Sequence, residues 1–423
     1  MNTLMVLGDR CGFPPDIRIE KEARSLIKAG HRVSLLCLKA EGKDAPSEVV
    51  DGVHVLRVKQ PPLVFGRMET LARRAGIGSS LSPYWADMIA KAALVVLANV
   101  LHIHDLPMFD NGLVAARELD IPIIADLHEL YPEMLKAYFP FWKGRAIYHA
   151  GRWHQKELRC FREATEVITI SEPAADYQER KHGRRPVVVG NQVDLEYFDS
   201  LPIDEEIVHS WDGDFVVMYL GSYGAHRGLD VLVKAFTELV RKVPEARLVL
   251  VGEHPQSLKW SVPTEVNKRI VITGWVDDAL FPSYMQAASV LVHPIRSLGH
   301  SPQIEFCCPH KVFDYMAAGK PIVATVTVSL KDYIGLPFSS LPEQFRYMGF
   351  GDEHAGQAGF LFTSGCWKCL ADDLLRLHRD RGARSEFGQN GRRAVETRFN
   401  WEIESQKLLQ VYDRIGERTG GSR

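Results

Sequence analysis

Pro309-His310-Lys311-Val312-Phe313-Asp314-Tyr315-Met316-Ala317-Ala318-Gly319-Lys320-Pro321-Ile322-Val323-Ala324 reads as a helix that hands over directly to a strand. Val312, Phe313 and Met316 supply its buried side, Gly319 stops it, and Pro321 leads into the apolar run Ile322 to Ala324. On this reading Asp314 lies in the first helical turn, where free N–H groups and the positive dipole end favour an anion or a ligand hydroxyl. From the pattern alone, Asp314 reads equally well as a charge that balances the dipole, and Lys311 as a solvated cation.

The same strand and helix alternation extends outward. Phe215 to Leu220 is apolar, Gly221 to Gly228 is a turn, Leu229 to Leu239 is an amphipathic helix, and Arg247 to Val251, Val271 to Thr273 and Val290 to His293 are further strands. The first half repeats the scheme: Leu4 to Leu7, a helix over Ile19 to Ala29 capped by Gly30, Val33 to Leu38, then Val53 to Val58, Val100 to Ile103, Pro122 to Ala125, Val167 to Ile170 and Val187 to Val189. Strands alternating with helices imply parallel, doubly wound sheets, so the fold class is α/β with two Rossmann-like domains. The expected division is a first domain over 1–188, a linker over 189–213, a second domain over 214–398, and a C-terminal helix and tail over 399–423 that packs back on the first domain. Doubly wound domains hold ligands at the carboxyl ends of their strands, and two facing each other form a cleft.

Bulk properties agree. A chain of 423 residues is too long for one ordinary core. Hydrophobic residues at 46% and charged residues at 25% are globular proportions. The formal net charge of -2 offers no global field for a polyanion, which argues against nucleic acid as a partner. The N-terminus lacks the pattern of a signal peptide, and the longest apolar run, Ala92 to Leu101, is about half a bilayer span. Seven scattered cysteines read as reduced thiols, and the expected location is cytoplasmic. Cys366-Trp-Lys-Cys369 has redox or metal spacing but lacks the second pair of a structural zinc site.

The opening stretch is similar to the donor-binding segment of the family 4 retaining glycosyltransferases, in a subgroup whose pattern runs roughly Pro-Asn-Lys-Leu-Phe-Glu-Tyr-Met-Ala-Ala-Gly-Lys-Pro. Asp16-Ile17-Arg18, His104-Asp105-Leu106-Pro107, Asp126-Leu127-His128-Glu129, Asn191 with Asp194, Gly274-Trp275-Val276, Gly359-Phe360-Leu361 and Trp401-Glu402 follow in the order such enzymes show, so the resemblance spans nearly the whole chain. It implies the GT-B fold, with a nucleotide sugar held by the second domain. Asp314 then stands where a Glu bridges the ribose hydroxyls, with His310, Lys311 and Val312 beside it, and Trp275 and Val276 lie where the nucleobase is read.

Gly221 and Ser222 open the turn expected to cradle the diphosphate, and Arg227 closes it. Family members usually carry two basic residues five positions apart here; this chain has Ser222 in the first place and Arg227 in the second. In the first domain, Gly12 allows close backbone approach, His128 matches the histidine that faces the donor sugar, and Arg18, His104, Asp105 and Glu129 are placed on the acceptor side. The family's first glutamate is replaced by Phe306, and Glu305, one residue earlier, becomes its candidate substitute if the segment is an irregular loop, as Gly299, Pro302 and Pro309 suggest. His128, Arg227 and Glu305 are the catalytic candidates. No metal site is expected: His102, His104 and Asp105 read as neighbours pointing to opposite strand faces, and the family uses protein cations in place of a metal. No cofactor is expected beyond the donor itself.

The resulting expectation is a retaining, metal-independent transferase moving a sugar from a nucleoside diphosphate sugar, UDP favoured over GDP, to a glycan or lipid-linked glycan in surface polysaccharide assembly. Basic and aromatic residues mixed through 135–162 suit peripheral contact with an anionic membrane on its inner face. A non-catalytic GT-B binding partner would keep affinity without releasing nucleoside diphosphate, and a sugar-nucleotide epimerase would convert its substrate without an acceptor.

Overall fold

The computed structural model describes residues 1–7, 13, 16–39, 45–59, 82–138, 150–252, 260–296, 301–334 and 356–420. The chain forms two compact units: Met1–Asn191 with Ser301–Gln303 and Glu404–Arg423, and Gln192–His300 with Ile304–Ile403.

The first unit is built on an eight-stranded sheet of order β3-β4-β2-β1-β5-β6-β7-β8. Its strands are β1 (Asn2–Val6), β2 (Arg32–Leu38), β3 (Ser47–Val50), β4 (Val53–Val58), β5 (Val100–His104), β6 (Ile123–Asp126), β7 (Glu166–Thr169) and β8 (Val187–Val188). All neighbours run parallel except β3 and β4. A parallel sheet covered on both faces needs continuous apolar strands; β1 and β2 meet this, with Leu4, Met5, Leu35 and Cys37 wholly buried. The helix Ile17–Lys28 starts at Asp16, whose carboxylate accepts from Ile19 N at 3.1 Å.

In the second unit the sheet has six strands, ordered β11-β10-β9-β12-β13-β14, all parallel. They are β9 (Phe215–Leu220), β10 (Ala246–Val251), β11 (Ile270–Ile272), β12 (Val290–His293), β13 (Ile322–Thr325) and β14 (Gly359–Phe362). The helix Leu229–Lys242 carries Leu229, Leu232, Val233, Phe236 and Leu239 at the spacing of one face and buries them in the cluster that holds Phe215, Val217 and Tyr219. Each such side chain contributes about 1.5–3 kcal/mol by leaving water. The helix His310–Ala317 is tied to the sheet at Tyr315, whose hydroxyl accepts from Leu220 N at 3.2 Å.

Two expectations change here. Cys366 and Cys369 form a disulfide rather than two free thiols. They occupy the cap and first turn of the helix Trp367–Arg379, where residues three apart lie on the same side. Asp314 is not in the first turn of its helix: the helix begins at His310, which puts Asp314 fifth, beyond the free N–H groups.

Gly228 ends the site-bearing turn at φ +67°, and a Cβ there would meet Pro294 O at 1.8 Å. Both the backbone region and the contact exclude a side chain. Gly228→Ala is therefore expected to cost about 2–4 kcal/mol, read as a lower urea midpoint. An unchanged midpoint would mean that the Pro294 carbonyl moves aside.

Candidate active site

In the second unit the chemistry gathers where β9 and β12 end. After Leu220 the chain turns at Gly221, passes a short 3-10 turn over Ala225–Arg227, and enters the helix at Leu229. Arg227 is half-buried, its Nε has no hydrogen-bond partner, and it forms no ion pair among the described residues. Lys311 reaches back from its helix to donate to Leu220 O at 2.7 Å and sits 4.7 Å from the centre of the Tyr219 ring. Burial and then the Arg227 guanidinium push its ammonium down to about 7, against a smaller upward pull from Asp314. His293 at the end of β12 is 1% exposed and neither ring nitrogen has a partner. Burial, then Lys311 and Arg227, hold it well below the usual histidine range. His226 is lowered to about 4 by burial and then by the same two cations. The imidazoles are thus neutral at pH 7, and the cationic pair lacks an ion-paired carboxylate among the described residues.

Other donor-side candidates divide. Trp275 is 73% exposed, so it is not a core aromatic, and Val276 beside it is half-buried. Ser222 is exposed, with its carbonyl accepting from Tyr219 OH at 2.7 Å. His310 and Asp314 are half-buried. Val312 offers a ligand nothing: its side chain is in the core and its N–H is bonded to Pro309 O at 3.1 Å. Glu305 lies neither in an irregular loop nor in a strand but ends the short helix Pro302–Glu305; it is 6% exposed and accepts from Val328 N at 3.3 Å. The candidate Gly12, and Gly299 cited for the loop, fall outside the described residues.

The first unit carries a different kind of cluster. Arg18 forks onto both oxygens of Asp126, at 3.1 and 2.9 Å, and also donates to Val189 O and Asn191 Oδ1. Asp126 Oδ2 lies 3.3 Å from His128 Nε2, 3.5 Å from His104 Nδ1 and 3.7 Å from His102 Nε2. His102 and His104 are two apart on β5, so they share a face and stack with centroids 4.5 Å apart, contrary to the opposite faces expected for this group. His102 Nδ1 meets Tyr412 OH at 2.9 Å. Asp105 holds φ 67° and ψ 149°, a strained conformation for a non-glycine residue, with its N–H on Asp126 O at 2.8 Å and its Oδ1 accepting from His128 N at 3.3 Å.

These placements set the charges. Burial lowers the His128 imidazole, but Asp105 and Asp126 outweigh it and hold the group up to about 9. Burial and then His102 push His104 down to about 3. Burial opposes ionisation of Asp126, yet Arg18 and His128 keep it well below the carboxylate range. Glu22, wholly buried beside it, is raised well above that range by burial and then by Asp126. Arg18 and His104 are buried: Arg18 holds the Asp126 carboxylate that contacts His128, and His104 Nδ1 lies 3.1 Å from His128 Nε2. Glu22 was missed in the sequence, and His102 was set aside there although His102-x-His104 carries the period of two that marks a shared strand face.

Glu22, His102, His104 and Asp126 bring four possible metal-ligand atoms within 4.8 Å of one another. Arg18 already supplies a cation to both carboxylates, 3.0 Å from Glu22 and 2.9 Å from Asp126, so a metal ion there would meet a buried guanidinium.

The segment proposed to touch a membrane turns partly inward. Lys156 is wholly buried, donating to Pro107 O at 2.6 Å, Phe161 is in the core, and Trp153 packs on Tyr131. Residues 139–149, including Phe139, Phe141, Trp142, Lys143, Arg145 and Tyr148, lie outside the described residues. No helix among the described residues is long and apolar enough to cross a membrane.

Two parallel α/β units with a cation-lined turn in the second define a GT-B fold of the glycosyltransferase type. The family models agree: "Glycosyltransferase Family 4" matches residues 18–197 and "Glycosyl transferases group 1" matches residues 214–380. The chain belongs to the group 1, family 4 glycosyltransferases. It is similar to a phosphatidyl-myo-inositol mannosyltransferase of Mycolicibacterium smegmatis, 24% identical over 97% of this chain and 94% of that one. Among solved structures it resembles sucrose-phosphate synthase of Thermosynechococcus elongatus, with TM-score 0.73, 17% identity and 99% of both chains covered. HepE of Anabaena, solved with UDP-glucose, gives TM-score 0.68 and 16% identity over 98% of this chain and 100% of that one.

The charge state of His128 is measurable. A histidine raised in the folded state stabilises the fold fully below the ordinary histidine range, and this contribution is lost as pH rises through about 9. NMR titration should find His128 still protonated at pH 7.5, and Asp126→Asn should return it to a neutral ring there. A His128 signal that titrates normally in the native chain would refute the arrangement.

Proposed function

We propose that the protein is a retaining, metal-independent glycosyltransferase that moves a sugar from a nucleoside diphosphate sugar, UDP before GDP, to a hydroxyl of a glycan or glycolipid in surface polysaccharide assembly. The observation that carries this reading is the turn from Gly221 to Gly228 between β9 and its helix, with Arg227 lacking an ion-pair partner among the described residues. A guanidinium fork at the carboxyl end of a parallel strand suits a phosphate. UDP is supported by HepE, solved with UDP-glucose, and a lipid-linked acceptor by the phosphatidyl-myo-inositol mannosyltransferase.

On this reading Asp314 takes the ribose hydroxyls, Trp275 and Val276 border the base, and Glu305 orients the transferred sugar. Arg227 stabilises the charge that develops on the leaving diphosphate, whose own oxygen accepts the proton of the incoming hydroxyl on the same face. Catalysis is then orientation plus electrostatic stabilisation, without a covalent nucleophile or a cofactor. His128, protonated at neutral pH, acts as a hydrogen-bond donor and not as a base.

Calorimetry tests the site. Arg227→Ala and Asp314→Ala should each weaken UDP or GDP binding about 10-fold or more while the unfolding transition holds. Unchanged affinity in both variants would remove the donor site from this turn. Glu305→Gln keeps an oxygen to cap Val328 N and removes the charge, so turnover should fall more than affinity for the bare nucleotide. Intact turnover would make Glu305 a helix cap only.

A further inference from the structure

We infer that Lys311 is the second cation of the diphosphate clamp, filling from the helix His310–Ala317 the place that Ser222 leaves without charge. The inference rests on reading the second unit as a nucleotide-sugar site and adds a residue that reaches the turn from elsewhere in the chain.

The geometry begins at Gly221. A Cβ there would lie 2.3 Å from Lys311 Nζ, and the backbone holds φ +127°, so a side chain at this position would be strained and would push the ammonium from where it sits. Lys311 Nζ then donates to Leu220 O at 2.7 Å and to Tyr219 OH at 3.4 Å, which leaves one of the three ammonium N–H groups to give. Its helix is fixed to the same strand residue, because Leu220 N donates to Tyr315 OH. The ammonium is therefore anchored at the mouth of the turn with donor capacity to spare.

The surroundings ask for an anion. Tyr219 faces Lys311 from β9, His226 and Arg227 from the turn, His293 from β12, and Asp314 and Tyr315 from its own helix. Among these Asp314 is the single carboxylate, and its upward pull on Lys311 is smaller than the downward push of burial and Arg227. Two cations are thus brought together against the buried imidazole of His293 and the half-buried one of His226, with the His293 nitrogens and Arg227 Nε lacking partners. Such an arrangement costs folding energy when empty and is relieved by a ligand with several negative oxygens. Ser222, exposed and neutral, contributes nothing to this field.

A proton linkage follows. Lys311 sits at about 7 in the empty protein because burial and Arg227 disfavour its charge. A bound diphosphate favours the charged form and raises that value, so binding takes up about one proton near pH 8. Affinity should be level below pH 7 and weaken as pH climbs above it.

Isothermal titration of the full chain with UDP and GDP, and with uridine and guanosine as phosphate-free probes, in buffers of different ionisation enthalpy, decides the matter. Lys311→Met should lower diphosphate affinity roughly 10- to 100-fold, leave the nucleosides unaffected, and abolish proton uptake. Lys311→Arg should keep the affinity without the uptake, since guanidinium does not titrate in this range. Adding Ser222→Arg to Lys311→Met should recover affinity, because it returns charge to the turn itself. Native-like diphosphate binding by Lys311→Met, or an equal loss for nucleosides, would overturn the inference while leaving the functional reading standing. Failure of the native protein to bind either diphosphate would sink both.

Discussion

The second unit of this protein depends on a charge imbalance: Arg227 and Lys311 are brought to the end of β9 without an ion-paired carboxylate among the described residues. Folding normally avoids this, since buried charges are paired or neutralised. The sheet enforces it. Parallel strands bring β9 and β12 to end at one edge, Tyr315 ties the Lys311 helix to Leu220, and the turn before Leu229 delivers Arg227 to the same edge. The resulting neighbourhood makes His226 and His293 neutral, so the field comes from Arg227 and from however much of Lys311 is protonated.

The first unit solves the opposite problem. Arg18 is buried too, yet it is met by Asp126 and by carbonyl and amide oxygens of Val189 and Asn191. Asp126 then faces His128, and Asp105, held at positive φ, closes over the same ring. The backbone strain at Asp105 buys a fixed imidazolium. Because Arg18 and His128 are matched by Asp126 and Asp105, this unit needs no ligand to balance its charge.

Much of this was legible in the sequence. Continuous apolar runs such as Phe215 to Leu220 and Val290 to His293 coincide with β9 and β12, because buried parallel strands leave no polar positions to blur their ends. The strands not foreseen are β3 and β14. β3 is a largely exposed antiparallel edge containing Ser47 and Glu48, and β14 opens on a glycine, so neither shows the apolar period of a buried strand. The motif Asp126-Leu127-His128 and the pair His102 and His104 were visible, but Glu22 joins them from a helix far away in sequence, which no local pattern reveals. Asp314 was assigned to the first turn of a helix opening near His310, but four residues of that helix precede it, which places it in the second turn.

The contrast between the units bears on where a ligand is felt. A ligand stabilises a fold to the extent that it binds the native state and not the unfolded chain. Where charges are already matched, as around Arg18, an added anion gains little and must displace existing bonds. Where like charges have been forced together, as around Lys311, the anion both forms new bonds and removes a repulsion that the empty protein carries. The energetic return on binding is therefore concentrated in the second unit. The same repulsion that lowers Lys311 would be relieved by a multiply charged group and not by a neutral sugar of similar size.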